Sequence, residues 1–158
     1  MSIGKFKARP IHLPAAMKRE VRTQFGALCW RRRKGKLKIA LVTSRRSGRW
    51  VLPKGWPMDG ATPADAAARE AWEEAGVEGR VVETCIGIYS YTKEMEDRAD
   101  LPCVVAVFPV KARSVAKSWP EDSERVRRWV SPAKAADLVD DPELGQILRG
   151  FDPRAVGA

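Results

Sequence analysis

Three glutamates at positions i, i+3 and i+4, Glu70, Glu73 and Glu74, are the residues of this chain best suited to chemistry. At about 100° per residue, a helix would place the three carboxylates within one arc of its surface. Like charges at these spacings repel one another, and no lysine or arginine shares the arc to offset them. Hard divalent cations such as Mg²⁺ prefer oxygen ligands, so the trio is a candidate metal site. The alternative is an ordinary solvated helix face.

The helix that carries the glutamates has recognisable limits in the sequence. Thr62, followed three residues later by Asp65, forms a capping-box pattern, and Pro63 stands where the first helical residue would be. Gly76 supplies a residue that tolerates the left-handed conformation at a helix end. Together these residues predict a helix over 63–75.

Small and charged residues separate to the two sides of this predicted helix. The alanines should face inward, which lets the helix lie close to a sheet, and the glutamates should face outward. The preceding segment, residues 53–60, is rich in proline and glycine and should be neither regular helix nor central strand. The inward-facing alanines are Ala64, Ala68, Ala71 and Ala75.

The other elements that must position the helix are mostly strands. Pro109 indicates an edge strand or a bulge at its position. The basic run from Arg31 to Lys38 is interpreted as a solvated hairpin, with an RNA contact as the alternative. Helices should open at Ser131-Pro132 and at Asp141-Pro142. Predicted strands cover residues 21–31, 37–43, 49–52, 81–92, 102–110 and 127–130.

The segment from Gly55 to Val77 resembles the box of the Nudix hydrolase family. In that box a glycine, a glutamate and an R-E-x-x-E-E-x-G-aliphatic run occur at fixed spacing. Here the glycine, the arginine Arg69, the three glutamates and the closing Gly76-Val77 stand at the matching separations. The resemblance implies an α/β fold, an α/β/α sandwich with a mixed β-sheet, and a metal-dependent hydrolase.

The resemblance also implies a role for each residue of the box. Glu70 and Glu74 would be the principal metal ligands, joined by Glu73 and by the backbone carbonyl of Gly55. Glu73 would be the base for the attacking water, although the glutamate that serves as base varies within the family. Arg69 would belong to the catalytic set. The implied cofactor is Mg²⁺, with Mn²⁺ as a substitute.

One position of the box departs from the family pattern. The family's first glutamate, six residues after the glycine, is Ala61 in this chain. In the family that glutamate mainly braces the loop against the helix, often through the box arginine. Its replacement leaves Arg69 short of a partner, with Asp59 and Asp65 as candidate substitutes. We therefore expect activity to be weakened rather than abolished.

Segments outside the box resemble the diphosphoinositol polyphosphate and dinucleoside polyphosphate branch of the family. They are residues 43–45, 49–53, 119–123 and 127–129, so the resemblance spans about residues 20 to 133. The implied reaction is hydrolysis of a phosphoanhydride bond in such a small molecule, in which basic side chains position the charged substrate. Trp56 could stack on a nucleobase. The candidate substrate-binding residues are Arg22, Thr43, Ser44, Arg45, Lys54, Gly55, Lys93 and Arg127.

The bulk composition narrows the choice of partners and chemistry. A net charge of +9 and a pI near 9.8 favour nucleic acid, an anionic membrane surface or a polyphosphorylated small molecule. We expect the small molecule, with nucleic acid less favoured and no membrane, bound by a monomer or homodimer. Three scattered cysteines exclude a disulfide framework, and the single histidine, His12, excludes a histidine-based metal site.

The 158 residues fit one domain with two short flanks. We divide the chain into a basic N-terminal arm (1–19), a single domain (20–150) and a C-terminal tail (151–158), and we expect fraying after Gly150. The arm carries five basic and no acidic side chains, but its prolines and scarce serine argue against a transit peptide. No apolar run approaches the roughly 20 residues of a membrane span. The few, scattered cysteines favour a reducing compartment, so we expect a cytoplasmic protein.

Two classes of function therefore compete. The first is the metal-dependent phosphoanhydride hydrolase. The second is a catalytically weakened Nudix-like module that binds RNA or nucleotide through its basic surface. Ala61 favours the module, whereas the complete glutamate trio favours the enzyme.

Overall fold

A mixed β-sheet occupies the middle of the structure, a computed structural model that describes residues 8–11, 22–96 and 99–158. The strands in these ranges are β1 (Thr23–Arg33), β2 (Lys36–Thr43), β3 (Trp50–Val51), β4 (Lys54–Gly55), β5 (Val77–Val81), β6 (Gly87–Lys93), β7 (Leu101–Val115) and β8 (Arg127–Val130). The helices are α1 (Pro63–Ala75), α2 (Pro132–Leu138) and α3 (Pro142–Arg149), followed by a short 3₁₀ helix, Pro153–Val156.

The long strands β1 and β7 lie side by side in the sheet and run parallel, whereas the other described pairs are antiparallel. The main strand order is β3-β2-β1-β7-β5. β4 also pairs with β1, β6 with β7, and β8 with β2. Because β1 has neighbours on both sides and helices over both faces, its middle is an unbroken run of buried residues.

Two apolar cores lie on opposite faces of the sheet. Ala27 and Cys29 of β1 pack with the alanines of α1, while the alternate residues Leu28 and Trp30 pack with α2 and α3. This alternation follows from the two-residue period of a strand. The predicted α/β/α sandwich with a mixed β-sheet is confirmed.

Several strands differ from the sequence-based prediction. The single strand expected over 81–92 is two strands, because β5 begins directly after α1 and a loop separates it from β6. The segment predicted to contain only loop includes Lys54–Gly55 as a short strand, which pairs with Phe25 and Gly26 of β1. That pairing brings the box glycine next to the centre of the sheet.

Pro109 lies inside β7 rather than on an edge strand. On one side it is paired in register with Leu28 of β1. On its other side the partner changes from β6, which pairs as far as Val107, to β5, which starts at Val110. The Pro109 carbonyl accepts from the Val82 N–H at 3.1 Å in this gap. The missing N–H of proline therefore falls where no ladder hydrogen bond is required.

The ends of the chain pack against the domain where the structure describes them. Phe151 is 8% exposed and meets the Trp30 ring edge-on at 6.1 Å, so the chain does not fray after Gly150. Ile11 exchanges backbone hydrogen bonds with Gly60 and Ala61 ahead of α1. His12 and most of the predicted arm lie outside the described residues. Within the described ranges, no helix is long and apolar enough to cross a membrane.

Candidate active site

Helix α1 begins and ends as the sequence predicts. The Thr62 hydroxyl oxygen accepts from the Asp65 N–H at 3.1 Å, and Pro63 is the first helical residue. Gly76 closes the helix in the left-handed conformation with φ 66°, and its N–H donates to carbonyls of the last turn. These local contacts fix the start and end of the segment that carries the glutamates.

Two of the three glutamates point inward, which corrects the prediction of an outward-facing trio. Glu70 is 9% exposed and Glu74 is 7% exposed, whereas the Glu73 side chain is 32% exposed. The reason is tertiary, because β4 and the segment 119–127 cover the arc that the isolated helix would leave to solvent. The buried carboxylates must therefore be compensated within the protein or by a ligand.

Glu70 lies against the backbone of Gly55. A Cβ atom at position 55 would overlap the Glu70 carboxylate, so any side chain there would displace that carboxylate from its present position. That carboxylate makes no hydrogen bond or ion pair with any described residue. Burial raises the pKa of Glu70 to about 8, and the nearby charges of Glu74 and Glu73 raise it further. Glu70 is thus a buried carboxylate with no direct hydrogen-bond or ion-pair partner among the described residues, and the charge of Arg125 offsets its burial only in part.

Glu74 is held by an arginine that the sequence reasoning missed. Arg125 donates from Nη2 to Glu74 Oε1 at 2.9 Å, and the Lys54 N–H donates to the other oxygen at 3.0 Å. Burial raises the pKa of Glu74 to about 6, against the lowering effects of Arg125 and Lys54. Arg125 therefore places a positive charge beside the three glutamates. It lies 51 residues after Glu74, so no helical spacing in the sequence could have predicted the contact.

Arg69 has a partner on its own helix. Its Nε lies 3.1 Å from Glu73 Oε1, an i,i+4 pair in which the arginine is 66% exposed. The expectation that Arg69 would lack a partner because of Ala61 is therefore corrected. The pairing holds Glu73 outside the cavity that Glu70 and Glu74 line.

The C-terminal carbonyls of α1 are satisfied by the segment before β8. The Trp119 indole N–H donates to the Glu74 carbonyl at 3.0 Å, and the Glu121 N–H donates to the Glu73 carbonyl at 3.0 Å. Arg127 donates to the Ala75 carbonyl at 2.7 Å while its guanidinium lies 4.2 Å from the centre of the Trp119 ring. These contacts supply hydrogen bonds to carbonyls that a helix C-terminus leaves without a partner. They also fix the position of the glutamates.

A cavity of about 540 Å³ opens beside Glu70 and Glu74. Its wall also includes the polar side chains of Gln24 and Tyr91, whose hydroxyl donates to the Gln24 amide oxygen. Cations reach it from four separate segments, which makes it suited to a molecule with several negative charges. The basic lining residues described are Arg45, Arg46, Arg49, Lys54, Lys93 and Arg125.

Five of the predicted substrate-binding residues line this cavity and three do not. Arg22 is exposed immediately before β1. The Thr43 carbonyl accepts a hydrogen bond from Arg125, and the Thr43 hydroxyl accepts one from the Val126 N–H. Arg127 is engaged at the end of α1, away from the cavity wall. The five that line it are Ser44, Arg45, Lys54, Gly55 and Lys93.

Aromatic rings hold two of the lining lysines. Lys54 Nζ lies 4.8 Å from the centre of the Tyr91 ring, and Lys93 Nζ lies 5.3 Å from that of Trp56. Burial lowers the pKa of Lys54 to about 8, although Glu74 acts in the opposite direction. The cation–π contacts restrict both ammonium groups to the cavity wall.

The oxygen atoms of Glu70, Glu74 and Gly55 suit a hard cation, although they do not surround a single point in this structure. No three Asp, Glu, Cys or His side chains in residues 8–11, 22–96 and 99–158 are close enough together to hold a metal ion as they stand. Glu70 nevertheless offers a carboxylate without a partner, beside the Gly55 backbone and close to Glu74. Oxygen donors of this kind fit Mg²⁺ or Mn²⁺.

Comparison with known proteins identifies the family to which this chain belongs. Residues 14–151 match the family described as NUDIX domain. Nudix hydrolase 12, mitochondrial, of Arabidopsis thaliana is 35% identical over 119 residues, which cover 73% of this chain and 59% of that protein. Diphosphoinositol polyphosphate phosphohydrolase 3-alpha of Mus musculus is 29% identical over 112 residues, which cover 71% of this chain and 63% of that protein. The chain thus spans about three fifths of the length of these relatives.

A solved structure shares the fold. The C. elegans Ap4A hydrolase binary complex superposes with a TM-score of 0.63 and 22% sequence identity, covering 87% of this chain and 100% of that one. At this identity the likeness concerns the arrangement of strands and helices.

Proposed function

This chain belongs to the NUDIX domain family, and we propose that it is a metal-dependent hydrolase of phosphoanhydride bonds in polyphosphorylated small molecules. The observation that carries the proposal is the state of Glu70. It is 9% exposed, has no hydrogen-bond or ion-pair partner among the described residues, and lies beside Gly55 in a cavity lined by both basic and acidic side chains. A buried carboxylate with no direct partner is costly unless a cation joins it.

We assign Glu70, Glu74 and the Gly55 carbonyl as the groups that hold the cation, with Mg²⁺ as the cofactor and Mn²⁺ as a substitute. When bound, a divalent ion neutralises phosphate oxygens and makes a bound water more acidic. Arg125 keeps Glu74 ionised, and Glu70 contributes the unpaired carboxylate. Glu73 accepts the proton of the attacking water once its carboxylate leaves Arg69.

The favoured substrates are dinucleoside polyphosphates and diphosphoinositol polyphosphates. Six basic residues and five glutamates line the cavity. Lys54 and Lys93 form no ion pair among the described residues, so these two cations are available to a chain of phosphates. Trp56, which also lines the cavity, offers an aromatic face to a nucleobase. The names of a mouse relative and of a structural neighbour, a diphosphoinositol polyphosphate phosphohydrolase and an Ap4A hydrolase, agree with this choice.

A second candidate function is a weakened module that binds nucleotide or RNA. It is favoured by Ala61 together with the Arg69–Glu73 pair, which holds the proposed base outside the cavity. Under this alternative the cavity would bind a phosphorylated ligand without cleaving it.

Phosphate or nucleotide release from a substrate panel distinguishes the two. Diadenosine polyphosphate, a diphosphoinositol polyphosphate and a nucleoside triphosphate would each be incubated with Mg²⁺, Mn²⁺ or EDTA. We expect release with metal, none with EDTA, and a loss of at least about a hundredfold in Glu70→Gln. Glu83→Gln, at an exposed position, is the matched control. Binding without release under every condition would support the module instead.

The domain limits, location and assembly remain proposals as well. We retain 20–150 as the body of the domain, onto which Phe151 and Val156 of the following segment pack, together with a cytoplasmic location and a monomer or homodimer. The Arabidopsis relative carries a mitochondrial designation in its name, so imaging of a fluorescent fusion is the direct test of location. Light scattering tests the assembly.

A further inference from the structure

The β1–β2 hairpin carries a concentration of positive charge that the proposed hydrolase does not use. We call its six cations the hairpin patch: Arg31, Arg32, Arg33, Lys34, Lys36 and Lys38. None of them forms an ion pair with a carboxylate of the described residues. The arginines of the cavity wall, in contrast, are each paired with a glutamate or aspartate.

The strand register places like charges directly opposite one another. Arg31 is the partner of Lys38, and Arg33 is the partner of Lys36. Like charges in such cross-strand pairs destabilise a sheet. The four side chains share one face, about 5 Å apart across the strands and about 7 Å apart along them. An array of this kind is stabilised by a ligand with regularly repeated negative charge.

Two tryptophan rings hold members of the patch in position. The Arg31 guanidinium lies 4.1 Å from the centre of the Trp129 ring. On the other face of the hairpin, the Arg32 guanidinium lies 5.8 Å from the centre of the Trp30 ring. Lys111 of β7, outside the patch, lies 5.4 Å from the same ring centre. Cation–π contacts restrict these side chains, so a bound anion costs less side-chain entropy than at a set of mobile lysines.

The hairpin tip adds a cation at a conformational cost. Lys34 has φ 52° and Gly35 has φ 75°, which are the values of a two-residue hairpin turn that favours Asn, Asp or Gly at both positions. A lysine in the left-handed region costs about 1 kcal/mol. Positive charge therefore extends to the end of the ribbon, and no carboxylate interrupts residues 31–38.

The patch is separate from the cavity. Gln24, near the start of β1, lines the cavity, whereas Arg33 ends the same strand. Nine residues of extended strand span about 30 Å. A ligand of the patch therefore does not compete directly with a small substrate at Glu70.

We propose that the hairpin patch binds the phosphate backbone of single-stranded nucleic acid. A ribbon two strands wide, charged on both faces, fits a flexible phosphate chain that can wrap around it. An anionic membrane surface is less suitable, because peripheral membrane segments also present large apolar side chains. The large hydrophobic residues exposed in the described chain, Ile88, Val104 and Val126, all lie outside the hairpin.

Fluorescence anisotropy with a labelled, unstructured RNA of about 16 nucleotides tests the proposal. The same measurement would use a DNA strand of equal length and vesicles of phosphatidylcholine and phosphatidylserine. The variant is Arg33→Gln/Lys36→Gln, and the control is Lys117→Gln/Lys134→Gln, which removes the same charge at exposed sites elsewhere.

We expect the hairpin variant to weaken RNA binding about 25-fold at about 0.1 M salt and to reduce the salt slope by about 1.4, since each phosphate contact on a single strand contributes about 0.7. The control should lose much less. Phosphoanhydride turnover should be unchanged in both, and the hairpin variant should melt no lower than the unaltered protein, because it removes a like-charge cross-strand pair. DNA binding that follows RNA binding supports recognition of the shared backbone. Equal losses in variant and control, or binding to vesicles without binding to RNA, would overturn the proposal.

Discussion

The guanidinium of Arg125 and the carboxylate of Glu74 form a buried ion pair, with Nη2 2.9 Å from Oε1 and the two side chains 7% and 9% exposed. The same guanidinium donates to Glu121 and to the Thr43 carbonyl. It therefore links helix α1, strand β2 and the segment before β8. One carboxylate of the trio is kept ionised by this contact, while Glu70 has no such partner among the described residues.

Replacing Arg125 with methionine should destabilise the protein strongly. Glu74 and Glu121 would lose a shared buried partner, which costs about 3 to 5 kcal/mol for a broken buried pair. Urea unfolding at neutral pH measures the loss. The matched control is Arg45→Met, because Arg45 also approaches Glu121 but is 59% exposed and should cost less than about 1 kcal/mol. Similar small losses in both variants would show that burial does not strengthen the pair.

Gly55→Ala should reduce turnover by about a hundredfold, since a displacement of about 1 Å in a catalytic group has that effect. The added methyl group would occupy the position of the Glu70 carboxylate. The comparison variant is Gly145→Ala in α3, where a Cβ meets its nearest atom at an ordinary 3.5 Å. Steady-state kinetics should show normal activity for the control. A normal rate in Gly55→Ala would mean that the position of Glu70 is unimportant.

The stability of the metal-free protein should depend on pH through Glu70. Its folded-state pKa of about 8 lies above the ordinary value of 4.5, so its contribution is present below about pH 4.5. The contribution is lost as the pH rises through about 8, amounting to at most about 5 kcal/mol. Urea unfolding in EDTA should show this decline relative to Glu70→Gln, which has no such titration. Parallel profiles for the two proteins would contradict the assignment.

Mg²⁺ should counteract the loss of folding stability at high pH that is caused by ionisation of Glu70. A cation stabilises the ionised form of Glu70, so its addition should raise the melting temperature more at about pH 8 than at about pH 5. Glu70→Gln should lose most of this increment. An equal shift at both pH values would indicate a metal bound elsewhere.

Ala61→Glu should raise turnover. A carboxylate at position 61 offers Arg69 a second acceptor and frees Glu73, which Arg69 holds at 3.1 Å. Because a positioned base contributes at least about a hundredfold, even partial release should increase kcat about tenfold. Ala61→Gln matches the size of the new side chain without its charge. If Ala61→Glu leaves kcat unchanged, the proposed handicap at this position is wrong.

The local structure of the site could be predicted from sequence because its determinants are local. Thr62, Pro63 and Gly76 fix the ends of α1 through contacts within a few residues. The spacing of the box places the glutamates on one arc by helical geometry alone. Both features were therefore readable without knowledge of the rest of the chain.

The burial of the glutamates could not be predicted, because it depends on distant segments. Arg125 lies 51 residues after Glu74, and the Trp119 indole that donates to the Glu74 carbonyl lies 45 residues after it. Neither has a spacing that relates it to the helix. For the same reason Arg127, predicted to bind substrate, is found at the end of α1 instead.

The central claim is that Glu70 and Glu74, beside Gly55, hold a divalent cation in the cavity. Anomalous diffraction from crystals soaked in Mn²⁺ tests it most directly, with Glu70→Gln crystals treated identically. We predict an anomalous peak between the two carboxylates in the unaltered protein and a much weaker one in the variant. The absence of an anomalous peak near Glu70 and Glu74 at saturating Mn²⁺ would contradict the account.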